Sequence, residues 1–126
     1  MPLTPTTRVL LTGAGGQLAA AIQTRFGNHC ALTAVTRQDC DIASSTDVTR
    51  VTHAVRPEVI INCASYNDVD GAERDPEAAL AANGLALAVL AEAATRQDAV
   101  LLHYSTDFVF DPAVDPGPLR EDAPTS

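Results

Sequence analysis

Residues 9–22 read VLLTGAGGQLAAAI and pass from an apolar run, through a glycine-rich turn, into a helical pattern. The run at 8–12 is short, largely apolar and ends at Gly13, which is typical of a strand buried on both faces. Apolar side chains then recur at helical spacing from Leu18 to Phe26, and Gly27 follows as a helix stop. Strand, glycine turn and helix in this order predict the first unit of a parallel α/β sheet.

The same alternation continues along the chain. Apolar strands are predicted at 31–36, 58–62 and 99–105, with a short further candidate at Cys40–Ile42, and helices are predicted at 44–57 and 75–96. These crossovers predict a Rossmann-like, doubly wound parallel sheet with strand order 3-2-1-4-5. Residues 1–110 are expected to form this domain. Residues 111–126 hold four of the eight prolines and are expected to form a loop or tail.

Composition narrows the class of function. The net charge is −8 and there is no lysine, so neither nucleic acid nor an anionic membrane is an expected partner, and a small molecule is favoured. The amino terminus resembles no secretory signal, and no apolar run approaches the ~20 residues of a membrane span, so we expect a cytoplasmic protein. No disulfide or metal site is expected, because ligand spacing is absent among Cys30, Cys40, Cys63, His29, His53 and His103.

The glycine turn is a candidate phosphate-binding site. Gly13, Gly16 and Ala19 fall where a dinucleotide-binding turn needs small residues for the tight turn, the approach of a diphosphate and close helix packing. The N–H groups and dipole of the following helix favour an anion by roughly 0.3–1 kcal/mol. A glycine turn without a ligand is the alternative.

The end of the second strand bears on which dinucleotide is bound. An acidic residue that would hold a ribose 2′-hydroxyl is replaced by Thr36-Arg37, and arginine suits a 2′-phosphate. NADP(H) is therefore favoured, while NAD(H) stays open because Asp39 and Asp41 are close by. Asp41 and Ile42 are candidates to flank the adenine.

Two further motifs end strands at the same edge of the sheet, INCASYNDVDGAE at 61–73 and HYSTDFVFD at 103–111. With TGAGGQL and an asparagine in the third helix, they resemble the dTDP-4-dehydrorhamnose reductase family of short-chain dehydrogenase/reductases over nearly the whole chain. The resemblance implies NADPH-dependent reduction of the 4-keto group of a deoxysugar nucleotide, in dTDP-rhamnose biosynthesis.

The resemblance also assigns residues. It implies cofactor contacts from Gly13, Gly16, Gln17, Leu18, Cys63, Ala64 and Ser65. Asn83 matches an asparagine that orders a proton relay, Thr106 matches a hydroxyl that bonds the substrate carbonyl, and Asp107 follows it. From the residues alone, Asn83 lies between Leu80 and Leu87 on an apolar face, so a buried amide with a structural hydrogen bond is the alternative.

The chain departs from the family at its proton donor. The family's Tyr-x-x-x-Lys pair should come shortly after residue 126, and neither Tyr66 nor Tyr104 has a lysine four residues on. Because a placed proton donor contributes typically 10²–10⁴-fold, we expect little reductase activity from this chain alone. The alternative function is a non-catalytic NADP-binding regulatory or interaction module.

The last predicted strand, at residues 99–104, has no predicted neighbour on its outer side. Residues 99–104 are apolar on both faces, which is typical of an inner strand, yet no further strand is predicted after them. The sheet is therefore expected to be incomplete at its C-terminal side. Further polypeptide or a partner chain is expected at this edge.

Overall fold

The computed structural model describes residues 2–65, 69–106, 109–110 and 117–125. Its four strands are β1 (Arg8–Thr12), β2 (Ala31–Val35), β3 (Val59–Asn62) and β4 (Val100–His103). The helices are α1 (Gln17–Phe26), α2 (Ser45–Val55), α3 (Val69–Arg74), α4 (Pro76–Leu80) and α5 (Ala86–Gln97), and a π-helical turn, Ala81–Leu85, joins α4 to α5.

The four strands form one parallel sheet in the order β2-β1-β3-β4. This arrangement confirms the predicted Rossmann-like class, and it matches four of the five predicted strand positions. Across three strands, Leu11, Ile61 and Leu102 are in register. All four strands therefore end at the same edge of the sheet, where the glycine turn follows β1.

The predicted strand at Cys40–Ile42 is wrong. The chain turns here instead, because the Cys40 N–H donates to the carbonyl of Thr36 at 3.0 Å and the Ser44 N–H donates to that of Asp41 at 2.9 Å. Cys40 and Ile42 are nevertheless buried in the core. Their apolar side chains pack into the core although the backbone forms a turn. Apolar periodicity alone does not distinguish such a turn from a short strand.

The core lies on both faces of the sheet. On one face Leu10 and Ile60 pack with α2 and α5, including Val48 and Leu90. On the other face Leu11 packs with residues of α1. Ser44 accepts a hydrogen bond from the Asp47 N–H at 3.2 Å and so caps the start of α2.

Among the described residues β4 lies at the edge of the sheet, which confirms the prediction that the sheet is incomplete at its C-terminal side. Val100 is 58% exposed and Leu102 is 44% exposed, and in the described ranges no strand pairs with this edge. β4 is thus an edge strand with apolar side chains open to solvent. Cover by further polypeptide or a partner chain stays a prediction. The tail predicted at 111–126 lies partly outside the described residues, and its boundary also stays a prediction.

The long helix predicted from Asp75 begins as expected, since the Asp75 carboxylate accepts a hydrogen bond from the Ala78 N–H at 3.1 Å. It does not continue as one α-helix. The π-helical turn widens the spiral over Ala81–Leu85 and so changes the phase between α4 and the buried stripe of α5. Asn83 lies in this turn and is exposed, so its predicted burial on an apolar face is wrong.

By length and composition, the helical run Pro76–Gln97 is one candidate membrane span among the described residues, with a mean hydropathy of 1.5. The core helix of a Rossmann-like domain can have the same length and apolar composition, so these two properties alone do not identify a membrane span. Ala86, Leu90, Ala93 and Ala94 in this run are buried in the sheet's core.

Candidate functional site

Two cavities meet at the carboxyl ends of the strands. The larger, of 580 Å³, is called the turn cavity here, and the smaller, of 300 Å³, the strand-end cavity. The turn cavity is lined by Gly13, Gly15, Gly16, Thr36, Arg37, Gln38, Cys40, Asp41, Ile42, Ala43, Cys63, Ala64, Ser65, Ala78 and Ala81. The strand-end cavity is lined by Gly16, Gln17, Leu18, Asn62, Cys63, Ala64, Ser65, His103 and Tyr104. Gly16 and residues 63–65 form their shared wall.

A larger concavity, of 1020 Å³, lies on the outer surface of α1 against Tyr104. Its lining is mainly apolar side chains such as Ile22 and Phe26, and it includes none of the residues of the glycine turn before Leu18. We therefore place the candidate site in the two cavities at the strand ends, where ligands bind in open α/β sheets.

Gly13 shapes the shared wall. Its φ is +72°, in the left-handed region that favours glycine. A methyl group on Gly13 would lie 2.5 Å from the Ala64 amide nitrogen and 2.6 Å from the Cys63 carbonyl carbon. The end of β1 can therefore approach the segment after β3 only because Gly13 has no side chain.

Neighbouring elements fix the rest of the turn. The Ala14 N–H donates to the Val35 carbonyl at 3.0 Å, which ties the turn to the end of β2. The Gln23 side-chain amide of α1 donates to the Ala14 carbonyl at 3.3 Å. The turn is thus held from two sides before any ligand binds.

The first turn of α1 opens into both cavities. Gly16 is its N-cap, and within the described ranges no side chain caps this helix and no acidic residue stands in its first turn. By contrast, Ser44 caps α2. Uncapped N–H groups at the positive end of a helix dipole form a site for an anion such as a phosphate.

A buried polar network lies beside this helix end. The Thr12 hydroxyl donates to the Asn62 side-chain oxygen at 2.7 Å, and the Ala64 N–H donates to the same oxygen at 3.1 Å. The Asn62 side-chain nitrogen lies 3.1 Å from Nδ1 of His103. Asn62 therefore connects the ends of β1, β3 and β4, with only 3% of its surface exposed.

The turn after β2 sets the charge at the far end of the turn cavity. The Asp39 carboxylate accepts hydrogen bonds from the Thr36 N–H and hydroxyl, both at 2.9 Å, while the Asp41 carboxylate accepts one from the Ala43 N–H at 3.0 Å. Arg37 makes no hydrogen bond or ion pair within the described part of the chain. Both carboxylates are engaged in local turns, whereas the guanidinium remains available at the cavity.

The Thr36 backbone N–H, and next its hydroxyl, lower the pKa of Asp39 below its ordinary value. A carboxylate with a lowered pKa in the folded state stabilises the fold above its ordinary pKa, and this contribution is lost as the pH falls through the lowered value. We therefore expect Asp39→Ala to be less stable than the unmodified protein at about pH 7, with a smaller difference at about pH 3. Urea unfolding of both proteins at the two pH values measures this difference, and one that does not shrink would contradict the assignment.

Two thiols, those of Cys63 and Cys40, line the turn cavity. Desolvation raises the pKa of Cys63, and desolvation together with the charge of Asp47 raises that of Cys40. The raised pKa values favour the neutral thiol at both positions, and a neutral thiol does not repel a phosphate.

The structure brings most of the predicted site residues together. All ten predicted cofactor residues line one or both cavities: Gly13, Gly16, Gln17, Leu18, Arg37, Asp41, Ile42, Cys63, Ala64 and Ser65. Thr106 and Asn83 are exposed and line neither cavity, and Asp107 lies outside the described residues. The binding and catalytic roles of all of these residues stay predictions.

Sequence reasoning gave no role to Thr12 or His103. Both are polar residues that end an apolar strand, and this position was the available signal, because parallel strands bring their carboxyl ends together. The register across three strands brings both residues next to Asn62, and this register could not be predicted from the sequence alone.

A parallel sheet with a glycine turn and an uncapped helix at its carboxyl edge defines a Rossmann-like domain, the class that binds ligands across this edge. Within that class, the chain belongs to the family described as the RmlD substrate binding domain, whose model matches residues 7–126. This membership confirms the resemblance drawn from the motifs.

Curated proteins that are similar in sequence are named dTDP-4-dehydrorhamnose reductase. The chain is 40% identical over 122 residues to the dTDP-4-dehydrorhamnose reductase of Streptomyces griseus, covering 96% of this chain and 40% of that protein. It is 36% identical over 104 residues to that of Burkholderia thailandensis, covering 82% of this chain and 35% of the relative. The chain thus spans about 35–40% of the length of these curated relatives.

Solved structures of the same family are similar to this fold. A dTDP-4-dehydrorhamnose reductase from Clostridium acetobutylicum superposes with a TM-score of 0.86 at 33% identity, covering 94% of this chain and 42% of that one. The enzyme from Bacillus anthracis, solved in complex with NADP, gives 0.79 at 33% identity, covering 83% and 38%. A Thermus thermophilus UDP-glucose 4-epimerase in complex with NAD gives 0.80 at 19% identity, which shows the shared fold alone.

Proposed function

We propose that this chain is the cofactor-binding part of an NADPH-dependent reductase that acts on the 4-keto group of a deoxysugar nucleotide. The observation that carries the proposal is the uncapped first turn of α1, which opens into both cavities at the glycine turn. The names of the relatives support the reaction, since they are oxidoreductases of this kind. They do not favour the alternative of a non-catalytic module.

We propose that each of the two cavities holds one half of a dinucleotide. We assign the diphosphate to the N–H groups that begin α1, beside Gly13 and Gly16, which line the turn cavity. The adenosine half falls to the turn cavity, with Asp41 and Ile42 beside the adenine. The nicotinamide half falls to the strand-end cavity, against residues 63–65.

Arg37 supports NADP(H) over NAD(H). It lines the turn cavity without an internal partner in the described part of the chain, while Asp39 and Asp41 are held by their own turns. A guanidinium pairs with a phosphate through charge-assisted hydrogen bonds, which are about twice as strong as neutral ones. The NADP of the Bacillus anthracis structure agrees with this assignment.

When bound, the cofactor supplies hydride to the substrate carbonyl. In this chain, Thr106 is proposed to hydrogen-bond that carbonyl beside Asp107, and Asn83 to help order the proton relay. Tyr104 lines the strand-end cavity, but the sequence has no lysine to lower a tyrosine pKa. We therefore propose that further polypeptide or a partner chain supplies the proton donor, covers the edge of β4 and selects the sugar.

Arg37→Ala tests the cofactor assignment. We expect NADPH affinity to fall by about 10- to 100-fold, because a charge-assisted pair with the 2′-phosphate is lost, and NADH affinity to stay within about twofold. Fluorescence titration with both cofactors measures the two dissociation constants. Arg25→Ala is the matched control, since it removes the same charge from α1, away from both cavities. An equal loss for the two cofactors, or none for either, would remove the 2′-phosphate from the proposal.

A further inference from the structure

The hydrogen bonds of Asn62 fix the orientation of its side chain. A backbone N–H can only donate, so the Asn62 atom 3.1 Å from the Ala64 nitrogen must be the side-chain oxygen. The other terminal atom is then the NH₂ group. This group lies 3.1 Å from Nδ1 of His103.

The orientation of Asn62 in turn fixes the proton on His103. An amide NH₂ can only donate, so Nδ1 of His103 must accept and cannot carry a proton. The hydrogen bond therefore selects the tautomer that carries its proton on Nε2. The amide cannot rotate to suit another tautomer, because the Ala64 N–H, which can only donate, would then lose its acceptor and face an NH₂ group.

We propose that His103 is a positioning residue for the nucleotide site, acting through Asn62; this inference rests on the proposed function. Its Nδ1 acceptor holds the Asn62 amide, and the Asn62 oxygen holds the Ala64 N–H at the shared wall of the two cavities.

The fit at Gly13 shows why this position matters. A methyl group there would already lie 2.5 Å from the Ala64 nitrogen, so the segment after β3 has little room to shift toward the glycine turn. Movement in the other direction would open the wall that both halves of the dinucleotide contact. Through Asn62, an acceptor on β4 thereby helps to hold the wall of a site formed mainly by β1, α1 and β3.

Two variants separate acceptor chemistry from packing. In His103→Asn, the side-chain oxygen takes the place of Nδ1 and keeps an acceptor for Asn62. In His103→Leu, a side chain of moderate size carries no acceptor. We expect the NADPH dissociation constant of the asparagine variant to stay within about threefold of the unmodified protein, and that of the leucine variant to rise about tenfold.

Long-range ¹H–¹⁵N spectra of the full chain identify the protonated nitrogen of His103 without any ligand. We expect Nε2–H and an unprotonated Nδ1 in the folded protein. Unfolding is measured for each variant, so that weaker binding is compared only among folded proteins. A merely structural role would lower stability in both variants and would not produce rescue by asparagine.

The outcomes separate this inference from the proposed function. A proton on Nδ1, or equal NADPH affinity in the folded leucine and asparagine variants, overturns the positioning role while the cofactor site stands. If the unmodified protein does not bind NADPH, the proposed function fails and the positioning role fails with it. An Nε2–H signal in that case would still support the tautomer assignment.

Discussion

Gly13→Ala is expected to destabilise the fold by about 2–5 kcal/mol and to abolish NADPH binding. A side chain at φ +72° costs roughly 1–2 kcal/mol, and overpacking costs typically a further 1–3 kcal/mol. The clash is with backbone atoms of Cys63 and Ala64, which follow a strand paired on both sides. Neither atom can move aside as a flexible side chain would. Urea unfolding and NADPH titration measure the two effects.

Gly15→Ala is the matched control, because it makes the same chemical change in the same turn. A methyl group on Gly15 would meet nothing within 4 Å, so we expect its unfolding free energy to stay within about 0.5 kcal/mol of the unmodified protein. Equal destabilisation by the two substitutions would mean that general loss of glycine freedom, and not the approach of β1 to the segment after β3, explains the effect.

Asn62→Ala is expected to lower the unfolding free energy by about 2–4 kcal/mol, because a buried hydroxyl and a backbone N–H lose their acceptor together. These donors are the Thr12 hydroxyl and the Ala64 N–H. NADPH affinity should fall as well, since the shared wall loses its anchor. Denaturant unfolding and cofactor titration give the two values.

Asn28→Ala provides the comparison for Asn62, since Asn28 is exposed in the turn between α1 and β2. We expect a change within about 0.5 kcal/mol there. If the two asparagine substitutions cost the same, the network through β1, β3 and β4 does not hold the strand ends together.

Much of the fold was predictable because the strands of a parallel sheet are nearly continuous apolar runs. The β1 strand, the glycine turn and α1 followed from residues 8–27, and the ends of β2 and β3 supplied Arg37 and Cys63 as candidates at the correct edge. Local patterns sufficed there, since each residue's place depends on its neighbours in sequence.

The predictions failed where longer-range packing decides the structure. Cys40 and Ile42 have the apolar character of a strand, yet they fill the core from a turn. Asn83 was predicted on an apolar face because a regular α-helix was assumed. The π-helical turn at Ala81–Leu85 interrupts the α-helical spacing on which that prediction depends. The link between Asn62 and His103 spans 41 residues and depends on strand register.

Each residue that lines the turn and strand-end cavities precedes position 105. During translation, the residues that line both cavities therefore leave the ribosome before any residue after position 104. Under the proposed function, a coenzyme captured at that moment would stabilise the nascent domain by RT ln(1 + [L]/Kd), which is about 2.7 kcal/mol at a hundredfold excess over Kd. Coenzyme binding would then favour the folded domain while the edge of β4 is still unpaired, and an unpaired strand edge is a site at which chains aggregate.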